Sequence, residues 1–119
     1  MKSLPWDNND LGITFSITAG RITIFKTTVK ALGFPPYYRF LLDAENRQFA
    51  IECCGYMSNG SHSLPGYNTK EHYDIKSRDL VRFIYQTCGW DTTSSYRVKG
   101  KIIPERMMVV FDLTSAIGI

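Results

Sequence analysis

Over residues 11–18 the apolar side chains Ile13, Phe15 and Ile17 alternate with Thr14, Ser16 and Thr18. That is the two-residue period of a half-buried strand. Ala19-Gly20 marks a turn, and the alternation resumes with Ile22 and Ile24 against Arg21 and Thr23. The period then changes. Val29, Leu32 and Phe34 fall at near-helical spacing, with Thr27 or Thr28 as a cap and Gly33 as a left-handed stop. Pro35-Pro36 closes this helix, because the residue before a proline is pushed out of the helical region. Residues 37–42 and 48–53 flank a polar turn at 43–47 and predict a hairpin. Its apolar face is Phe40, Leu42, Phe49 and Ile51.

Residues 55–70 change character. Gly55, Ser58, Asn59, Gly60, Ser61, His62, Ser63, Pro65, Gly66 and Asn68 predict a surface linker. Beyond it, residues 71–76 alternate, with Tyr73 and Ile75 on one side. Ser77 is placed to cap a helix, and Asp79 suits the positive end of its dipole. Leu80, Val81, Ile84, Tyr85 and Cys88 form the apolar stripe of that helix, and Gly89 stops it before Trp90. Residues 96–101 predict a strand, bulged at Gly100. Pro104-Glu105 fits a tight turn, and residues 107–113 form a strongly apolar strand. The expected core is Ile22, Ile24, Leu32, Phe40, Ile51, Ile75, Leu80, Ile84, Val109 and Phe111.

The two halves share an order. Each runs strand, helix, Gly-aromatic, strand, turn, strand, with Tyr38-Arg39 matched to Tyr96-Arg97 and Phe49-Ala50-Ile51 to Val109-Val110-Phe111. The pattern predicts an internal duplication: repeat one at about 17–54, linker 55–70 and repeat two at about 71–114. The second helix is longer by about one turn. Two apolar-faced units of this kind pack against each other, so residues 1–119 are expected to make a single domain. The class is α+β, mainly β, with one short helix per repeat.

The run Gly20-Arg21-Ile22-Thr23-Ile24, with Leu32-Gly33-Phe34 after it and a hairpin beyond, resembles the AbrB/SpoVT class of bacterial regulators. It differs from that family at two places. Phe25 stands where proline is usual, and Val29 and Lys30 occupy the Arg-pair positions. Family members of the MraZ type carry two such motifs in tandem. The resemblance implies a swapped-hairpin barrel, here a monomeric pseudo-dimer or a homodimer, whose strand-to-helix joints face duplex DNA. It carries over Arg21 from the Gly-Arg position and, more loosely, Lys30.

The net charge of +3 permits nucleic-acid binding without demanding it. Arg21, Lys26 and Lys30 bracket the first strand-to-helix joint, and Lys76, Arg78 and Arg82 bracket the second. Flexible cations of this kind meet phosphates, and arginine also reads guanine edges. These six residues are the candidate DNA-binding set, with solvated surface charge as the plain alternative. A protein-interaction module on the same barrel is the rival function, favoured by the missing proline and Arg pair. The aromatic residues fall mostly at core positions, so packing is expected of them before base stacking.

Other chemistry finds little footing. The chain has His62 and His72 and three cysteines, Cys53, Cys54 and Cys88. Adjacent Cys53 and Cys54 point to opposite faces of a strand, and the spacing matches no zinc pattern. No nucleophile–base arrangement or phosphate loop is present in the sequence, so no enzyme, metal or cofactor is expected. The first residues lack the apolar stretch of a signal peptide, and no run is long enough to span a membrane. A cytoplasmic protein with reduced thiols is the expectation.

Overall fold

The computed structural model describes residues 10–55, 60–63 and 72–119. Residues 1–9 and most of the expected linker lie outside them. Among the described residues nine strands and two α-helices follow in the order β1 (Gly12–Ser16), β2 (Arg21–Phe25), α1 (Lys26–Ala31), β3 (Tyr37–Asp43), β4 (Gln48–Cys53), β5 (His62–Ser63), β6 (His72–Lys76), α2 (Arg78–Cys88), β7 (Tyr96–Ile103), β8 (Met108–Asp112) and β9 (Ile117–Gly118). The strand order is β5-β3-β4-β8-β7-β1-β2-β6, with β9 on β7, and the pairings are antiparallel. The sheet curls into a half-barrel. Strand β7 joins its two limbs: residues 96–99 pair with β1, and residues 100–103 pair with β8.

The core fills the inner side of this curl. Ile13 and Phe15 of β1, Ile22 and Ile24 of β2, Phe49 and Ile51 of β4, and Val109 and Phe111 of β8 are all buried. Phe15 and Phe49 join the limbs edge to face, with ring centroids 5.4 Å apart. Helix α2 adds Val81, Ile84 and Tyr85. The Tyr85 hydroxyl lies 2.7 Å from the Ser94 carbonyl, which accepts its proton. Seven of the ten expected core residues are buried, while Phe40, Ile75 and Leu80 are partly buried and pack against the cluster.

Local expectations need four corrections. Helix α1 begins directly after Phe25, so Thr27 and Thr28 lie inside it and cap nothing. Their hydroxyls reach back along the chain instead, Thr27 to the Asp10 carbonyl before β1 and Thr28 to Gly12 at its start. Ser77 holds the N-cap position of α2 but makes no side-chain cap hydrogen bond. Gly100 continues the β7–β8 ladder in register, opposite Phe111. A Cβ there would meet Val109 Cγ1 at 2.6 Å, so close packing, not a bulge, requires the glycine. The linker also holds a short strand: β5 pairs with β3, and the His62 ring stacks on Tyr38 at 5.5 Å.

The halves of the chain meet along three antiparallel pairs, one of them β1 with β7. Strand β2 runs beside β6 with Thr23 opposite Asp74, and β4 beside β8 with Ala50 opposite Val110. The β3–β4 and β7–β8 hairpins close at Asp43↔Gln48 and Ile103↔Met108. Each loop ends on a non-glycine residue in the left-handed region, Arg47 (φ 53°) and Met107 (φ 52°). Counted back from these loops, the counterpart of Tyr38 is Val98, not Tyr96. The match of Tyr38-Arg39 with Tyr96-Arg97 is therefore out by two residues.

Candidate nucleic-acid interface

Antiparallel pairing decides where the six cations stand. Arg21 opens β2, and its cross-strand partner is Lys76, which closes β6. The turn before β2 is also tied to the start of α2. Gly20 is left-handed (φ +59°), its carbonyl accepts from the Ser77 N–H at 2.9 Å, and a Cβ on it would lie 3.2 Å from Arg78 Cβ. Arg21 therefore belongs with Lys76 and Arg78 at the second strand-to-helix joint. Arg82 is one turn further along the exposed side of α2.

Lys26 and Lys30 lie at the other end. Five strand residues at a rise of about 3.3 Å put Lys26 about 16 Å from Arg21. The structure thus divides the candidates into Arg21, Lys76, Arg78 and Arg82 at one end of the β2–β6 pair and Lys26 and Lys30 at the other. Arg21, Lys30, Lys76, Arg78 and Arg82 are exposed and Lys26 is half-buried. Among the described residues none of the six forms an ion pair. The ion pairs are Arg39–Glu52 at 2.7 Å and Lys99–Asp10 at 3.3 Å, and His72 Nε2 lies 3.9 Å from Asp74 Oδ2.

The outward face of β7-β1-β2-β6 joins these groups to residues that the sequence pattern did not single out. The pairings Thr14↔Arg97, Thr14↔Thr23 and Thr23↔Asp74 set four side chains in one row across the sheet. Thr23 donates to Asp74 Oδ1 at 2.7 Å. In the neighbouring row Phe25 stands opposite His72, and the Arg97 guanidinium lies 5.1 Å from the Phe25 ring centroid. The alternation of Thr14 and Ser16 in β1 and of Arg97 and Lys99 in β7 is visible in the sequence. That β1 lies between β2 and β7 is not, and only that pairing puts these residues on one face.

The other chemistry-bearing groups stay apart. His62 is on β5 and His72 on β6, at opposite ends of the strand order. Among the described residues no three His, Cys, Asp or Glu side chains gather as a metal-ligand set. Burial pushes the Cys53 and Cys88 thiols up, and the neighbouring Cys54 and Glu52 charges push Cys53 further. Thiols held protonated in this way are poor nucleophiles. Burial lowers His62, which favours its neutral form. No helix among the described residues is long and apolar enough to cross a membrane. No protein-family model, curated protein or solved structure matches the chain.

Proposed function

We propose that this chain is a DNA-binding transcriptional regulator of the AbrB/SpoVT-like class, a cytoplasmic protein that contacts duplex DNA through Arg21, Lys26, Lys30, Lys76, Arg78 and Arg82. In this reading the half-barrel is a swapped-hairpin barrel built from two tandem β-α-β-β repeats. The antiparallel pairing of β2 with β6 and of β4 with β8, and the like ends of the two hairpin loops, support the repeat. One observation carries the DNA reading: six cations without an acidic partner among the described residues sit at the ends of one strand pair. Unpaired cations are free to displace the counterions condensed on a duplex.

The test is a salt titration on a genomic DNA pool selected for binding. Log affinity falls with log salt by about 0.9 for each phosphate neutralised, so four to six contacts give a slope of roughly −4 to −5. Binding no tighter than about 100 μM in low salt, the weak end of non-specific affinity, ends the reading.

A protein-interaction module on the same barrel is the second reading, and one feature favours it. Leu41, Ala50 and Val110 are cross-strand neighbours on the outer face of β3-β4-β8. Leu41 is 37% exposed, and Met107 in the adjoining loop is 53% exposed. Absence of DNA binding would leave this surface as the one to probe.

A further inference from the structure

The outward face of β7-β1-β2-β6 holds an open cleft of about 470 Å³ lined by Thr14, Arg21, Thr23, Phe25, His72, Asp74 and Arg97. Its centre is Thr14, flanked in the cross-strand row by Arg97 and Thr23. The Thr14 hydroxyl is buried and makes no hydrogen bond among the described residues. A buried hydroxyl in that condition has lost its hydration without a protein partner to replace it. Valine has the same shape, suits a strand at least as well, and carries no such penalty. Packing therefore does not explain a threonine here.

The charges around it have a direction. Among the described lining residues Arg21 and Arg97 are cationic and Asp74 is the carboxylate, which is already engaged. Its Oδ1 accepts from Thr23, and its Oδ2 faces His72 Nε2 at 3.9 Å. Arg21 lines the same cleft but makes no ion pair with Asp74. The Phe25 ring holds the Arg97 guanidinium over the sheet at 5.1 Å. Arg97 and Thr23 are separated by two interstrand spacings, about 10 Å, which side chains converging from both sides can span around one tetrahedral group.

We propose that this cleft binds a phosphate group, with the Arg21 and Arg97 guanidinium groups and the Thr14 hydroxyl as donors. Guanidinium forks match phosphate oxygens in pairs, and a third oxygen is left to accept from the hydroxyl. The group has two possible sources, the backbone of a nucleic acid or a free phosphorylated small molecule. The site does not depend on the DNA reading, although Arg21 would serve both.

The test is a titration of the isotope-labelled full chain with inorganic phosphate at constant ionic strength, followed by amide shifts. Wild type is expected to show saturable shifts in β1, β2 and β7 with a millimolar midpoint, and Arg21→Gln to weaken it by about fivefold or more, the loss of one charge-assisted hydrogen bond. Thr14→Val is expected to weaken binding while leaving the denaturation midpoint unchanged or raised, and Thr14→Ser to bind like wild type. Arg106→Gln, in the β7–β8 loop and outside the cleft, is expected to bind like wild type.

The proposal is overturned if phosphate does not saturate by about 50 mM, a limit of weak affinity. It is also overturned if acetate binds as well as phosphate, or if Thr14→Val binds phosphate like wild type. A short duplex added to the phosphate complex separates the sources. Displacement of phosphate identifies the backbone phosphodiester, and retention identifies a free phosphorylated ligand. Failure of the duplex to bind ends the regulator reading alone, and failure of phosphate to saturate ends the cleft reading alone.

Discussion

The Thr28 hydroxyl closes both backbone groups of Gly12. It accepts from the Gly12 N–H at 2.8 Å and donates to the Gly12 carbonyl at 2.9 Å. Thr28 is fully buried, and through it α1 is pinned to the start of β1. Thr28→Val keeps the shape and removes both bonds, leaving two buried backbone groups without partners. The expected destabilisation is about 2–4 kcal/mol by chemical denaturation, since each orphaned group costs about 1–3 kcal/mol. Thr28→Ser keeps the oxygen and should recover most of the loss. A Val variant within about half a kcal/mol of wild type would mean that water replaces the threonine.

Gly100 offers a second point of tight fit. A Cβ there would meet Val109 Cγ1 at 2.6 Å and Phe111 Cε1 at 2.7 Å. Both neighbours are buried, so neither has room to give. Gly100→Ala is expected to destabilise by about 1–3 kcal/mol through overpacking. Adding Val109→Ala makes space for the new methyl group. The double variant should therefore lose less than the sum of the two single changes, a coupling measurable by a double-mutant cycle. Strict additivity would place the strain elsewhere.

These two contacts show where the sequence can be followed and where it cannot. The alternation through Ile13, Phe15, Ile22 and Ile24 names strands and their buried faces, because the pleat imposes that period wherever one face is dry. The stripe at Val81, Ile84 and Tyr85 names α2 in the same way. Thr28 looked like a cap because threonine favours helix starts. Its actual partner is Gly12, sixteen residues earlier, and propensity says nothing about such a pairing. The grouping of the candidate cations lay beyond local pattern in the same manner. Arg21 and Lys26 are near in sequence but stand at opposite ends of β2, while Arg21 and Lys76 are distant in sequence and directly opposed. Local pattern fixes which face a side chain takes, but strand order decides which faces adjoin.

Tyr38 gives the fold a dependence on alkaline pH. Burial pushes its phenol from 10.0 up to about 12. The unfolded chain releases this proton near pH 10, whereas the folded protein keeps it until about pH 12. Between those values the unfolded state binds fewer protons, so stability falls as pH rises. The contribution is fully present below pH 10 and is lost by about pH 12, amounting to no more than about 2–3 kcal/mol. Between pH 9 and 12 the denaturation midpoint of wild type should fall further than that of Tyr38→Phe if this phenol is responsible. A constant difference between them would show that Tyr38 does not set the alkaline limit.

The split of the cations into two ends predicts how they combine in DNA binding. Arg21 and Lys76 are directly opposed on paired strands, with Cβ atoms about 5 Å apart, and can share one phosphate. Lys30 is at the far end, beyond Lys26, and must meet a different phosphate. Replacing Lys30 with Ala should therefore lower the magnitude of the salt slope by about one unit and weaken all sequences alike. Replacing Arg21 with Gln should do the same at its own end. It should also relax sequence preference, at about 1–3 kcal/mol, if the guanidinium reaches a base edge. Lys30→Ala with Arg21→Gln should remove about two units of slope, the sum for two separated phosphates. Arg21→Gln with Lys76→Gln should remove less than two, because the second loss falls on a phosphate already released. Anisotropy titrations on one duplex over a range of salt give all four slopes. If every variant keeps the wild-type slope, these cations are solvated surface charge and DNA, if bound at all, is held by another face.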